Sequence, residues 1–216
     1  RQATWKRGPS RIHVLRSFDF GHTWGQEVVV DPAPFLWNQT AEPCIDLPHG
    51  RILMPLYAEK PDGHQVTACF CSDDKGYTWK YLSTILTRPG DYTHGIEYLE
   101  TSLVLSGSGK VVAISRTEND HAWQAVSTDW GQTWSTPRRL PMPANTQPSL
   151  LRLSDGRLLL CYGDRTTTPK SIRARLSDDE GETWRPSLIL RDDFPNRDIG
   201  YPCSVEVEPG RLLTVY

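Results

Sequence analysis

The chain has 216 residues, of which 38% are hydrophobic, and a formal net charge of −2 at pH 7. This length and composition can bury a substantial core, whereas the small net charge gives no electrostatic footprint for nucleic acid or for an anionic membrane. No apolar run approaches the length of a membrane span. We therefore expect no nucleic-acid partner and no membrane span.

The first recurring element along the chain is the octapeptide SFDFGHTW at residues 17–24. Its Ser, Asp, Gly, Thr and Trp return in the same order at 72–79, 127–134 and 177–184. The four aspartates are 55, 55 and 50 residues apart, and they are Asp19, Asp74, Asp129 and Asp179. A nearly constant period of this kind indicates a repeat architecture.

Each octapeptide is expected to be a structural turn. A Ser hydroxyl and an Asp carboxylate can accept hydrogen bonds from the backbone N–H groups of a tight turn, while Gly supplies the positive φ that the turn requires. The tryptophan that ends each octapeptide is expected to plug the seam beside the turn; these are Trp24, Trp79, Trp134 and Trp184. Four equivalent aspartates spread around a ring cannot converge on one substrate, so we assign them no catalytic role.

Between the octapeptides, apolar runs alternate with turns. Two β-branched, apolar runs joined by a Gly-containing turn predict a β-hairpin, and this pattern occurs at 44–57, 101–116, 148–165 and 202–216. A third run precedes an octapeptide, as at 65–72, and a fourth follows it, as at 80–86. Four short strands in each period are typical of a β-propeller blade, and no segment shows a sustained helical period.

The pattern S-x-D-x-G-x-T-W, present four times, resembles the Asp-box of sialidases, which is also called the bacterial neuraminidase repeat. The resemblance covers nearly the whole chain. It implies a six-bladed propeller in which the boxes lie in turns away from the active-site mouth. The motif is specific for the fold and weak for the activity, because other Asp-box propellers bind or cleave different ligands.

We therefore predict an all-β fold, with one β-propeller region over residues 1–216 built from four-stranded antiparallel blades. Counting strands gives a half blade at 1–38, whole blades at 41–90, 95–145 and 147–195, and a half blade at 200–216. The two halves could pair to close a four-bladed ring. The apolar run that ends at Tyr216 without a turn instead favours a portion, about four blades' worth, of a six-bladed propeller.

Candidate catalytic residues are expected where the innermost strands of successive blades converge. Glu100 begins the first strand of one blade and Arg116 ends its second, Arg165 ends the second strand of the next blade, and Tyr201 opens the last. Two guanidiniums can hold a carboxylate bidentately, and a Tyr beside a Glu can lose its proton and attack an anomeric carbon. Alternatively, the arginines are surface residues at strand ends, and Glu100 only pairs with Arg116.

The sialidase resemblance adds roles to these positions. Glu100 and Arg116 resemble the Glu and the carboxylate-binding Arg of the family, and Arg165 resembles its later triad Arg, although Arg173 could take that place. Tyr201 is similar in position to the nucleophilic Tyr, with Pro202 departing from the family pattern. Gln147 falls where the family has a substrate-contacting polar residue, and two weaker candidates lie in loops beside the mouth, Asp198 and His94.

The family's R-I-P arginine and its Asp acid/base are missing from the sequence, and we expect them upstream of Arg1 in a longer chain. The resulting hypothesis is a retaining, sialidase-like glycoside hydrolase that acts on sialic acid or a related acidic sugar. Without clustered His or Cys, we expect no metal and no cofactor, and the five cysteines are expected to be small buried thiols. The alternatives are a lyase or glycosidase for uronic-acid polysaccharides and a non-catalytic carbohydrate-binding propeller.

Overall fold

The computed structural model describes residues 10–40, 42–87, 97–117, 121–143 and 145–216, which form five antiparallel sheets and no helix. The first sheet pairs β1 (Ile12–Val14) with β2 (Val28–Val30). The second contains β3 (Trp37–Gln39), β4 (Ile45–Asp46), β5 (Ile52–Glu59), β6 (Gln65–Ser72) and β7 (Lys80–Leu86). The third contains β8 (Tyr98–Leu105), β9 (Val111–Thr117), β10 (Ala122–Ser127) and β11 (Arg138–Arg139). The fourth contains β12 (Ser149–Arg152), β13 (Leu158–Asp164), β14 (Lys170–Ser177) and β15 (Leu188–Phe194), and the fifth pairs β16 (Cys203–Glu208) with β17 (Arg211–Val215).

Consecutive strands are neighbours in the third and fourth sheets, as expected for blades. All four predicted hairpins form, as the pairs β4–β5, β8–β9, β12–β13 and β16–β17. The prediction of an all-β propeller with four-stranded antiparallel blades is therefore confirmed. None of the described segments is an apolar helix of the length that a bilayer requires.

The innermost strand of the second sheet is divided into two pieces. Trp37 of β3 pairs with Glu59, and Ile45 of β4 pairs with Leu53, so both short strands lie along the edge of β5 that is opposite β6. Residues 40 and 42–44, which lie between β3 and β4, belong to no strand. Residues 37 and 38, which the strand count placed in the preceding half blade, belong by their pairing to this second sheet.

Apolar side chains fill the seams between successive sheets. Leu53, Tyr98 and Trp123 pack together between the second and third sheets, and Ile114 and Tyr162 pack between the third and fourth. The strands that supply these layers carry apolar residues on both faces; β13, for example, is buried along its whole length. A strand buried on both faces is what a blade enclosed by two neighbours requires.

The four Asp-boxes adopt the same hydrogen-bonded turn. In the third box, Gly131 N–H donates to Ser127 Oγ at 2.8 Å, and Asp129 accepts from the Thr133 N–H at 2.8 Å and from its hydroxyl at 2.5 Å. The glycine has the expected positive φ of 84°, and the residue before it, Trp130, is also left-handed at 63°. The second box shows the electrostatic result, because hydrogen bonds from the side chain and backbone of its Thr lower the pKa of Asp74 to about 2.

Three of the four box tryptophans pack against the preceding sheet. Trp134 Nε1 donates to Ser83 Oγ of β7 at 3.0 Å, Trp184 Nε1 donates to Gln124 Oε1 of β10 at 3.2 Å, and Trp79 packs on the core between the first and second sheets. The expectation is wrong for Trp24, which is 61% exposed because the described chain has no sheet before β1 to cover it.

All five cysteines are free thiols, but only three of them are buried as expected. Cys69, Cys71 and Cys161 are buried in the strands, whereas Cys44 and Cys203 are exposed, which corrects the expectation that all five are buried. Cys44 lies directly before β4, and Cys203 is the first residue of β16, so both stand at the start of their hairpins.

Candidate active site

Four polar side chains occupy the same place in the repeating hairpin, near the start of its inner strand. Glu100, Gln147 and Tyr201 each lie nine positions before the positive-φ glycine of their hairpin turn, and Glu42 lies eight positions before its glycine. Those glycines are Gly50, Gly109, Gly156 and Gly210. Equivalent positions in successive blades point toward the same part of a propeller, so these side chains are candidates for one site.

Glu100 and Arg116 are joined across the β8–β9 hairpin. A register shift between Tyr98 and Thr101 places Glu100 in an irregular part of the ladder, where its carboxylate accepts a hydrogen bond from Arg116 Nε. Glu100 is only 7% exposed. This is the pairing that the residue pattern left open as an alternative to catalysis. Among the described residues, the Tyr201 hydroxyl donates no hydrogen bond to Glu100.

Arg116 and Arg165 come from adjacent sheets and converge on one backbone oxygen. The carbonyl oxygen of Asn145 accepts from Arg116 Nη1 at 3.3 Å and from Arg165 Nη1 at 3.0 Å. The Asn145 side chain fixes the second arginine further, because its Oδ1 accepts from the Arg165 N–H at 2.8 Å. Arg165 Nε is buried and has no hydrogen-bond partner among the described groups. Two guanidiniums are thereby concentrated at one point.

Gln147 joins the same cluster through a second carboxylate, that of Glu42. Gln147 Nε2 donates to Glu42 Oε1, and Ser102 Oγ donates to Glu42 Oε2 at 3.0 Å. Glu42 lies in the interruption between β3 and β4 and is 7% exposed. Burial raises the pKa of Glu42 to about 7; the two hydrogen bonds oppose that rise, and the negative charge of Glu100 adds to it.

Two of the predicted substrate-binding residues lie apart from this cluster. Arg173 forms an ion pair with buried Asp164 at 3.1 Å and donates to Ser171 and Ser187, so its guanidinium is used between strands of the fourth sheet. Asp198 is exposed, and only its backbone N–H is bonded, to Asn196 Oδ1 at 2.8 Å. Their roles in substrate binding stay predictions, and His94 lies outside the described residues.

Tyr201 lies in the loop before β16 and is 44% exposed. The loop is anchored two residues earlier, where buried Ile199 lies so close to the Cα of Gly163 that a side chain there would clash with its Cδ1. Within the described part of the chain, the Tyr201 hydroxyl makes no hydrogen bond. The nucleophile assignment stays a prediction.

Residue types alone did not reveal Glu42, Ser102 and Asn145. A usable signal was present for Glu42, because Glu-Pro at 42–43 matches Gln-Pro at 147–148 and Tyr-Pro at 201–202 in front of the hairpin. No comparable motif marks Ser102 or Asn145. Three or more His, Cys, Asp or Glu side chains grouped as metal ligands are not found among the described residues.

The four boxes and the antiparallel sheets define an Asp-box β-propeller. The BNR repeat-like domain family matches residues 1–213, and the chain belongs to that family. Comparison with curated proteins gave no match.

Three solved structures illustrate the similarity. A protein of unknown function from Dyadobacter fermentans DSM 18053 is 29% identical with a TM-score of 0.83, over 94% of this chain and 58% of that one. The leech intramolecular trans-sialidase is 22% identical with a TM-score of 0.72, over 94% and 32%. An α-L-arabinanase of Penicillium chrysogenum is 19% identical with a TM-score of 0.59, over 77% and 53%. The chain thus spans less than two thirds of the length of each, and the last two similarities concern the fold alone.

Proposed function

We propose that this chain forms part of a retaining, sialidase-like glycosidase that removes a terminal sialic acid or a related acidic sugar from glycoconjugates. The observation that carries the proposal is the convergence of Arg116 and Arg165 on the carbonyl oxygen of Asn145. The buried Nε of Arg165 has no hydrogen-bond partner among the described groups, so this guanidinium keeps a donor for a ligand. A planar carboxylate is the ligand that such a pair of forks binds best.

The acid group of the sugar also determines which nucleophile is suitable. Sialic acid carries a carboxylate on its anomeric carbon, and a carboxylate nucleophile would be repelled by it. A phenol avoids that repulsion, and sialidases are the recognised exception to the carboxylate nucleophile of glycosidases. Tyr201 has the same position in its hairpin as Glu100 and Gln147 have in theirs, which supports its placement at the site.

In the proposed first step, the Tyr201 oxygen forms a bond to the anomeric carbon and its proton passes to Glu100. The glycosidic C–O bond breaks, and its electron pair stays with the departing oxygen, which takes a proton from the general acid of a sialidase-like mechanism. In the second step water attacks the same carbon and gives a proton to the carboxylate of that acid. The bond to Tyr201 breaks, its electron pair returns to the Tyr201 oxygen, which takes its proton back from Glu100, and the configuration is retained. Arg116 and Arg165 hold the sugar carboxylate throughout.

The test is Tyr201→Phe in the full-length protein, with a sialoside as substrate and free sialic acid as the measured product. Turnover should be abolished while the circular dichroism spectrum stays that of the wild type, because only one hydroxyl is removed from an exposed loop. Tyr77→Phe is the matched control, since Tyr77 is an exposed tyrosine in the second Asp-box and should be fully active.

Undiminished turnover by Tyr201→Phe would remove this residue as the nucleophile. Product analysis of the wild type separates the other functions. Release of an unsaturated sugar that absorbs in the near ultraviolet would identify a lyase, and sugar binding without any product would identify a binding propeller.

A further inference from the structure

The backbone oxygen that Arg116 and Arg165 share is itself held in place by Gly163. The Asn145 N–H donates to the Gly163 carbonyl oxygen at 3.1 Å, and the Gly163 N–H donates to Thr146 Oγ1 at 2.8 Å. Asn145 is 3% exposed, and Thr146 is fully buried. Both backbone polar groups of Gly163 are therefore bonded to the segment that presents the Asn145 carbonyl oxygen to the two guanidiniums.

The packing around Gly163 leaves no space for a side chain. A Cβ at this position would lie 2.6 Å from both Cγ2 and Oγ1 of Thr146 and 2.8 Å from Cδ1 of Ile199, whereas ordinary contact begins at 3.4 Å. Gly163 is not one of the glycines with a positive φ. The glycine is therefore required by close packing and not by the conformation of the backbone.

The contact with Ile199 fixes the loop that carries Tyr201. Ile199 lies two residues before Tyr201 and is buried against Gly163 of β13. The next residue, Gly200, is packed as closely on its other side, because a Cβ there would overlap the carbonyl carbon of Tyr216 and lie 3.2 Å from its Cα. The backbone before Tyr201 is thus held between the end of β13 in the fourth sheet and the end of β17 in the fifth.

We propose that Gly163 is a positioning residue of the candidate active site, which keeps the two arginines and the Tyr201 loop at a constant separation. This inference rests on the proposed function. Gly163 acts through Asn145 on one side and through Ile199 on the other. A methyl group on residue 163 would have to displace Thr146 by about 0.8 Å, from 2.6 Å to the 3.4 Å of ordinary contact. A misplacement of about 1 Å in an active site can lower the rate about 100-fold.

The experiment measures kcat and KM of Gly163→Ala and of the wild type, as full-length proteins, on a sialyl-lactose. We expect kcat to fall about 30-fold or more because Tyr201 is displaced, and KM to rise about threefold or more because the acceptor of the two arginines is displaced. Gly107→Ala is the matched control and should keep both wild-type values. Its Cβ would meet only the ends of two flexible side chains, those of Arg152 and Glu180, at 3.4 Å.

Ile199→Val separates the two contacts of Gly163. It removes Cδ1, the atom that the new methyl group would meet at 2.8 Å, and leaves Thr146 unchanged. In the Gly163→Ala background it should raise kcat about 10-fold while KM stays high. As a single change it removes one methylene's worth of a buried side chain, so the protein should fold, and kcat should fall about threefold at an unchanged KM because only the Tyr201 loop is loosened.

Three results with an active wild type would overturn the positioning role while the proposed function stands. Gly163→Ala could keep the wild-type kcat and KM, or it could lose kcat at the wild-type KM without recovery by Ile199→Val, as expected if the change only reduces the amount of folded protein. If Gly163→Ala does not fold, a wild-type kcat in the Ile199→Val single variant is the third. A wild type that releases no sialic acid would overturn the proposed function and this inference together.

Discussion

Replacing Glu42 by Gln should stabilise the folded protein at pH 8 and leave its stability nearly unchanged at pH 4.5. Burial raises the pKa of Glu42 from its ordinary value of 4.5 to about 7, so the folded state binds this proton more tightly than the unfolded state. The associated stability is fully present below 4.5 and is lost as the pH rises through 7. Glutamine is neutral at every pH and keeps the shape of the side chain, so the variant avoids this loss.

The size of this stabilisation follows from the difference between the ordinary pKa of Glu42 and its pKa in the folded protein. Each pH unit between the two values corresponds to about 1.4 kcal/mol, and the interval from 4.5 to about 7 therefore corresponds to about 3 kcal/mol at pH 8. Urea unfolding of the wild type, Glu42→Gln and the exposed control Glu182→Gln at both pH values measures it. The free energies of unfolding of Glu42→Gln and the wild type could differ by less than about 1 kcal/mol at pH 8, or by the same amount at both pH values. Either result would show that Glu42 ionises in the folded protein without cost.

Two further predictions concern the Asp-box turns and use urea unfolding as the measurement. Asp129→Ala removes three hydrogen bonds from its turn and should cost about 2 kcal/mol, whereas Asp192→Ala, at an exposed position, should cost under about 0.5 kcal/mol; equal costs would contradict a structural role of the box. Gly131→Ala puts a methyl group 3.1 Å from Leu53 at a φ of +84°, while Gly156→Ala has a similar φ and no atom within 4 Å. The first should therefore cost about 1 kcal/mol more than the second, and a smaller cost for Gly131→Ala would refute the close packing of the box against the second sheet.

Much of the fold could be predicted because its local signals repeat. The hairpins were predictable from β-branched runs around Gly, and the boxes from side chains that bond their own backbone. The divided inner strand of the second sheet was not, since two- and three-residue strands have no readable alternation. Trp24 was misassigned for a related reason, because burial of its ring depends on a sheet that the local sequence does not contain.

The candidate site was predictable only in part. Arg116 and Arg165 were found because their strands end at the same level of the repeat, and the structure brings them to one oxygen. Glu42 was missed because it follows an irregular segment rather than an apolar run, and its importance comes from burial and from contacts with two other sheets. Arg173 has the same chemistry as the other arginines, but the nearby Asp164 determines its orientation.

The contacts of the box tryptophans run in one direction along the chain, and this has a consequence for biosynthesis. Ser83 is covered by Trp134, and Gln124 is covered by Trp184, so a sheet made earlier is closed by a residue translated about fifty positions later. While the protein emerges from the ribosome, the newest sheet always has an open apolar side. The sheets are therefore covered in order from the N-terminus to the C-terminus. A pause in translation within a repeat would leave the apolar side of the preceding sheet exposed to aggregation.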